Sequence, residues 1–95
     1  MNKYELTLVV DGKSAAAKKK KVTETLEKTL KIFGGVISSS KELGVREMAY
    51  KIGKFETGLY LYFELELDGS GVKALNEKLR TDPDILRFLV IRKED

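Results

Sequence analysis

The spacing of apolar positions divides the chain into segments with strand and helix periodicity. Residues 59–67 alternate between aliphatic or Phe side chains and Tyr or Glu side chains, which is typical of a strand with one buried face. Residues 4–10 are rich in β-formers and end at the turn pair Asp11-Gly12, which predicts a first strand. Residues 85–92 have the same character and predict the last strand.

Two further segments have helical spacing. Residues 14–33 carry apolar side chains at intervals of four, four and three, which places them on one helical face: Val22, Leu26, Leu30 and Phe33. We expect Ser14 to cap this helix and the glycine pair at 34–35 to end it. A shorter helix is predicted between residues 68–71 and 82–84, with one apolar side: Val72, Leu75 and Leu79.

The segment between the first helix and the alternating strand predicts a β-hairpin. Residues 36–40 and 45–52 read as a second strand, with a bulge or irregular stretch at 41–44, and residues 53–58 as the hairpin connection. The resulting order is βαββαβ. Its simplest solution is one α+β domain over residues 1–95 with the ferredoxin-like split-βαβ fold, a four-stranded antiparallel sheet with both helices on one face.

The alternation also assigns side chains to the two faces of this sheet. The helix-covered face receives the core: Leu6, Leu8, Val10, the Leu and Phe side chains of residues 59–67, Phe88 and Val90. The other face receives Thr7, Val9, Tyr60, Tyr62, Arg87, Leu89 and Ile91. An uncovered face is normally polar, so large apolar groups there predict a docking patch. The alternative is that tyrosines and scattered surface apolar groups tolerate solvent without a partner.

Composition limits the chemistry that this domain can perform. The chain has no Cys and no His, so thiolate sites are excluded and the commonest general base and metal ligand are missing. We therefore expect a protein that is not an enzyme and has no catalytic residues, cofactor or metal. The apolar run within residues 1–10 is too short for a signal peptide or a membrane span, which predicts an intracellular protein with no membrane partner.

Charge becomes informative only through its distribution. The 18 basic and 15 acidic residues leave a net charge of +3, so nucleic-acid affinity depends on local clustering. The candidate phosphate contacts flank the uncovered face: Lys3, Arg46, Lys51, Lys54, Arg87, Arg92 and Lys93. The candidate protein-docking residues are Val9, Tyr50, Tyr60, Tyr62, Leu89 and Ile91. The run Lys18–Lys21 favours a solvated helix surface, with a second RNA patch as the alternative.

Several motifs together resemble those of a known family. They are Tyr4-Glu5, Gly34-Gly35, LGVREMAYKI at 43–52, Gly58-Leu59-Tyr60, Leu79-Arg80 and ILRFLVIR at 85–92. On these residues the chain resembles, from 4 to 92, the family of the sixth protein of the bacterial small ribosomal subunit. The resemblance implies a cytoplasmic ribosomal location, a heterodimer with the eighteenth small-subunit protein, joint binding to the central domain of small-subunit ribosomal RNA, and no small-molecule substrate. The chain departs from many relatives at Leu43, Val45, Glu47 and Lys51.

Other classes with this topology fit less well. A free RNA-recognition module is the main alternative, but Thr57 stands where its signature has a basic residue, and the first strand lacks the matching central aromatic. An acylphosphatase-type enzyme needs an Arg in a phosphate-binding loop and a water-positioning Asn. Residues 10–14 contain no Arg, and the asparagines are Asn2 and Asn76. A small-molecule regulatory domain is neither demanded nor excluded.

Overall fold

The computed structural model describes residues 2–13, 15–52 and 55–93, without the side chains of 48–52 and 55–56. Its elements are β1 (Asn2–Asp11), α1 (Ala15–Ile32), β2 (Val36–Ile52), β3 (Phe55–Leu67), α2 (Val72–Thr81) and β4 (Ile85–Lys93), with a 3-10 turn at Gly69–Gly71 before α2. The strands form one antiparallel sheet in the order β2-β3-β1-β4. The predicted βαββαβ order and ferredoxin-like architecture are confirmed.

The core lies between the sheet and the two helices. The central strands β1 and β3 pair without interruption from Asn2 opposite Leu67 to Asp11 opposite Gly58. Alternate side chains of both strands therefore point towards the helices, and each is at most 7% exposed: Tyr4, Leu6, Leu8, Val10, Leu59, Leu61, Phe63, Leu65 and Leu67. They form one cluster with buried leucines of α1 and α2, and Phe88 and Val90 of β4 pack against its margin. The predicted core face is confirmed.

Helix α1 follows its apolar periodicity closely. Val22, Leu26 and Leu30 are each 1% exposed, and Phe33 lies half-buried just after the last helical residue. The helix ends where Gly34 adopts a left-handed φ of 70°, a conformation that glycine adopts at little cost. The predicted N-cap Ser14 lies outside the described residues. Within the described part of the chain, neither helix has the length and apolar character needed to cross a membrane.

Strand β2 is one continuous element with irregular pairing. Its register against β3 shifts between Ile37 and Ser39, between Glu42 and Gly44, and between Glu47 and Ile52. Gly44 has a φ of 100°, which disfavours other residues. The irregularity predicted at 41–44 is therefore confirmed as a bulge inside a single strand.

The predicted connection at residues 53–58 is wrong from residue 55 onwards. Strand β3 begins at Phe55, and Thr57 and Gly58 pair with Glu47 and Arg46 of β2. Backbone pairing with the neighbouring strand extends β3 beyond the stretch in which apolar side chains alternate, because a main-chain ladder does not require apolar side chains. The hairpin is consequently tighter than the sequence pattern indicates.

The burial of α1 side chains predicts very different effects on the free energy of unfolding at two apolar positions near the end of the helix. Leu30→Ala removes a side chain that is 1% exposed in the core, whereas Ile32→Ala changes one that is 78% exposed. We expect Leu30→Ala to lower the free energy of unfolding by about 2–5 kcal/mol and Ile32→Ala to change it by less than about 0.5 kcal/mol. Urea denaturation measures both, and equal effects would contradict the assigned helical face.

Candidate nucleic-acid and protein interface

The sheet face away from the helices, here called the open face, carries Arg46, opposite Gly58, at one end, followed by four rows of residues that cross all four strands. The pairing register of the four strands defines them. In the order β2, β3, β1, β4, the first row is Gly44, Tyr60, Val9 and Arg87, and the second is Lys41, Tyr62, Thr7 and Leu89. The third row is Ser39, Glu64, Glu5 and Ile91, and the fourth is Val36, Glu66, Lys3 and Lys93. The face is therefore aromatic and basic at one end and of mixed charge at the other.

The first of these ends, the arginine end, comprises Val9, Arg46, Tyr60 and Arg87. The guanidinium carbon of Arg46 lies 5.9 Å from the centroid of the Tyr60 ring, within the range of a cation–π contact. Tyr60 and Arg87 are the two cross-strand neighbours of Val9, which is only 6% exposed although it is not part of the core cluster. The arginine end therefore has an apolar and aromatic centre, Val9 and Tyr60, with an arginine on each side.

Two glycines lie opposite the residues of the Arg46–Tyr60 contact. The β2 residue directly opposite Tyr60 is Gly44, and the β3 residue directly opposite Arg46 is Gly58. Neither position carries a side chain that could separate the diagonal pair, and diagonal neighbours in a sheet are close enough for long side chains to meet. The local sequence of both strands therefore favours the contact.

Strand β4 contributes two adjacent exposed apolar side chains to the open face. Leu89 is 58% exposed and Ile91 is 49% exposed. They lie opposite Thr7 and Glu5 of β1, one row apart. Because they are adjacent on one face, they form a strip rather than isolated surface groups, which is the pattern of a docking site.

The mixed-charge end is organised around Glu64. Lys93 Nζ lies 2.9 Å from Glu64 Oε1, and the Tyr62 hydroxyl donates to the same oxygen over 3.3 Å. The Lys93 ammonium lowers the pKa of Glu64, and Glu64 in turn raises the pKa of Lys93. Partial burial, together with the carboxylates of Glu5 and Glu64, raises the pKa of Tyr62. The positive charge of Lys93 is thus largely balanced within the face.

The lysine run of α1, Lys18–Lys21, forms ion pairs with other segments of the fold. Three of its members form ion pairs with three different segments: Lys18–Asp11 (3.3 Å), Lys19–Glu42 (3.6 Å) and Lys21–Asp84 (3.0 Å). These are surface pairs and individually weak. They nevertheless give these three lysines carboxylate partners, which favours the solvated helix surface over a second RNA patch.

The sequence profile of the family described as ribosomal protein S6 matches residues 3–92. The chain belongs to the ribosomal protein S6 family. The resemblance inferred from the motifs at residues 4–92 is thereby confirmed over its full extent.

Individual S6 relatives agree with this assignment. Small ribosomal subunit protein bS6 of Parabacteroides distasonis is 32% identical over 94 residues, covering 99% of this chain and 80% of the relative. The protein of the same name from Acidobacterium capsulatum is 30% identical over 92 residues, which is 97% of this chain but only 65% of the relative. The crystal structure of 30S ribosomal protein S6 from Thermotoga maritima superimposes with a TM-score of 0.84 at 25% identity, covering 97% of this chain and 87% of that one.

In this S6-family chain the predicted phosphate contacts do not form one group. Arg46 and Arg87 lie at the arginine end, whereas Lys3 and Lys93 lie in the fourth row. Arg92 is opposite the core residue Tyr4, which places it on the helix side of the sheet. Its Nη2 there donates to Asn2 Oδ1 over 3.3 Å. The side chains of Lys51 and Lys54 lie outside the described part of the chain.

The predicted protein-docking residues lie together more closely. Val9, Tyr60, Tyr62, Leu89 and Ile91 all occupy the first three rows of the open face. Both tyrosines are half-buried. The side chain of Tyr50 is outside the described residues.

Sequence reasoning misses Lys41. It is exposed and lies opposite Tyr62 in the second row, on the arginine side of the face. Its face cannot be read from alternation alone, because a bulge changes which side the following residues occupy. The strand pairing supplies the missing information.

The ion pair at the mixed-charge end predicts a pKa change. Glu64 titrates below its ordinary value of 4.5, so its contribution to stability is present above that value and is lost as the pH falls through its folded-state pKa. Lys93→Met removes the main cause, and we expect the pKa of Glu64 to rise. Carboxyl-carbon NMR titration measures it. Arg92→Met, next to Lys93 but on the other face, is the control, and an unchanged Glu64 pKa in Lys93→Met would contradict the assignment.

Proposed function

We propose that this chain is a structural constituent of the bacterial small ribosomal subunit that binds the central domain of small-subunit ribosomal RNA together with the eighteenth small-subunit protein. It acts by shape, charge and surface burial, without turnover. Membership of the S6 family supports the proposal. The observation that carries it is the exposed strip of Leu89 and Ile91 beside an arginine end, since it joins an apolar docking surface to a phosphate-binding one.

The partner protein is assigned to the apolar part of the open face. Full burial of a large aliphatic side chain is worth about 1.5–3 kcal/mol, and Leu89 and Ile91 keep roughly half of their surface available for it. Tyr60 and Tyr62 offer rings with polar ends, a residue type that is enriched at protein interfaces. Several adjacent groups of this kind favour one continuous protein contact.

The RNA is assigned first to Arg46 and Arg87. Arginine presents a planar fork that matches phosphate geometry, and both arginines are exposed. Lys93 ranks below them because a phosphate has to compete with the 2.9 Å contact to Glu64. Arg92 ranks below them as well, since it lies on the other side of the sheet.

Ribosome association tests the proposal directly. Tagged chain expressed in a bacterial cell should sediment with the small subunit on a sucrose gradient and remain there after a high-salt wash. Release of the chain by that wash into fractions that contain other RNA would instead indicate a free RNA-binding module of the same topology. Absence from both would refute the proposal.

The docking assignment predicts an effect of the β4 strip. Leu89→Ser combined with Ile91→Ser should weaken association with the eighteenth small-subunit protein by about tenfold or more, since two partly exposed aliphatic groups no longer gain burial. Isothermal titration calorimetry measures the affinity, and thermal unfolding should change little. Ile32→Ser, at a still more exposed apolar position on α1, is the control. An equal loss in the control would contradict the assignment.

The phosphate assignment predicts a change in salt dependence. Arg46→Ala and Arg87→Ala should each lower the affinity of the protein pair for a central-domain RNA fragment. Each should also reduce the slope of log affinity against log salt by about one per lost phosphate contact. Filter binding at several salt concentrations measures this slope. Arg92→Ala is the matched control on the opposite face, and a slope unaltered by Arg46→Ala and Arg87→Ala would remove both residues from the RNA interface.

A further inference from the structure

The contact between Arg46 and Tyr60 lies where the two proposed interfaces meet. We propose that Tyr60 is a positioning residue for Arg46: its ring holds the guanidinium at the edge of the open face, and the hold strengthens when the partner protein covers the ring. Partner docking then raises RNA affinity through this pair of side chains. The inference rests on the proposed function and names the residues that couple its two binding events.

The geometry gives Arg46 a preferred place before any ligand arrives. Its guanidinium carbon is 5.9 Å from the Tyr60 ring centroid, and its Nη2 approaches the Leu43 carbonyl oxygen at 3.5 Å. An exposed arginine loses rotamer freedom when it binds a phosphate, so a side chain that is already held loses less on binding. The surroundings of Gly44, the residue opposite Tyr60, are open, since a Cβ built there meets nothing within 4 Å.

Covering the ring changes the strength of this contact. Cation–π attraction is modest at exposed sites and larger where water is excluded. Tyr60 is only half-buried in the free chain, and it lies in the same row as Val9 on the surface assigned to the partner. A partner seated there excludes water from the ring while the edge with Arg46 still faces RNA. Because coupling between binding events is reciprocal, RNA bound at Arg46 also favours the partner.

Arg87 provides a comparison within the same row. It lies on the other side of Val9 and is exposed as well. Among the described residues, the cation–π contact of an arginine is the one between Arg46 and Tyr60. Changes at Tyr60 should therefore act on RNA binding through Arg46 and not through Arg87.

A double-mutant cycle tests the coupling. The protein pair is titrated with a central-domain RNA fragment using wild type, Tyr60→Phe, Tyr60→Leu, Arg46→Ala and the combination of the last two. We expect Tyr60→Phe to stay within about twofold of wild type and Tyr60→Leu to lose roughly three- to tenfold, as expected for a partly desolvated cation–π contact. In the Arg46→Ala background, Tyr60→Leu should have no further effect on RNA affinity. In an Arg87→Ala background, it should retain its full effect.

Tyr62→Leu is the matched control for the loss of a tyrosine from the docking surface. It removes a tyrosine from the same face and strand, and no arginine lies over this ring among the described contacts. Whatever RNA affinity it costs through weaker partner docking should be lost equally in the wild-type and the Arg46→Ala backgrounds. Losses that add in the Tyr60→Leu and Arg46→Ala cycle, or an equal coupling of Tyr62→Leu to Arg46→Ala, overturn the proposal. Failure of the wild-type pair to bind the fragment overturns the proposed function and the coupling with it.

The positioning itself is measurable in the free chain. Protons of the Arg46 side chain next to the Tyr60 ring should be shifted upfield in the NMR spectrum by the ring current. Tyr60→Phe should keep the shift, and Tyr60→Leu should remove it. Addition of the eighteenth small-subunit protein should enlarge the shift in wild type. An Arg46 spectrum that is the same in wild type and Tyr60→Leu overturns the positioning role, whatever the RNA measurements show.

Discussion

The pairing register between β1 and β3 decides on which face each side chain of the central strands lies. It runs unbroken from Asn2 opposite Leu67 to Asp11 opposite Gly58. Strand side chains alternate with a period of two, so a slip by one residue would move the leucines to solvent and the tyrosines into the core. Burial of the leucines against both helices fixes the register. The open face, with Tyr60 and Tyr62 in place, follows from the same constraint.

The same pairing register makes the two ends of the open face chemically different. At one end Arg46 and Arg87 flank an aromatic and apolar centre, and at the other Glu64 holds Lys93 in an ion pair. Similar numbers of basic residues at the two ends therefore differ in their availability to phosphate. In the proposed account, the RNA meets the end whose arginines form no ion pair within the described part of the chain, and the partner protein covers the apolar side chains between the ends.

The sequence predicts this arrangement only where alternation is regular. Residues 59–67 place Tyr60 and Tyr62 correctly because the strand has no bulge there. Strand β2 contains bulges, so the face of Lys41 depends on pairing that the sequence does not display. The extra residues at the start of β3 are held by main-chain pairing rather than by an apolar pattern. The face of Arg92, in contrast, follows from the sequence. Arg92 lies two residues after Val90, so alternation places both side chains on the helix side, where the structure has them.

The central claim is that one face of the sheet binds both partners, with separate residues for each. Stepwise NMR titration of a chain labelled at methyl and guanidinium groups tests it most directly. Adding the eighteenth small-subunit protein should perturb the Leu89 and Ile91 methyl signals, and adding the central-domain RNA fragment should then perturb the guanidinium signals of Arg46 and Arg87. Main perturbations at Ile32 of α1 or Val72 of α2, with an unchanged open face, would contradict the account.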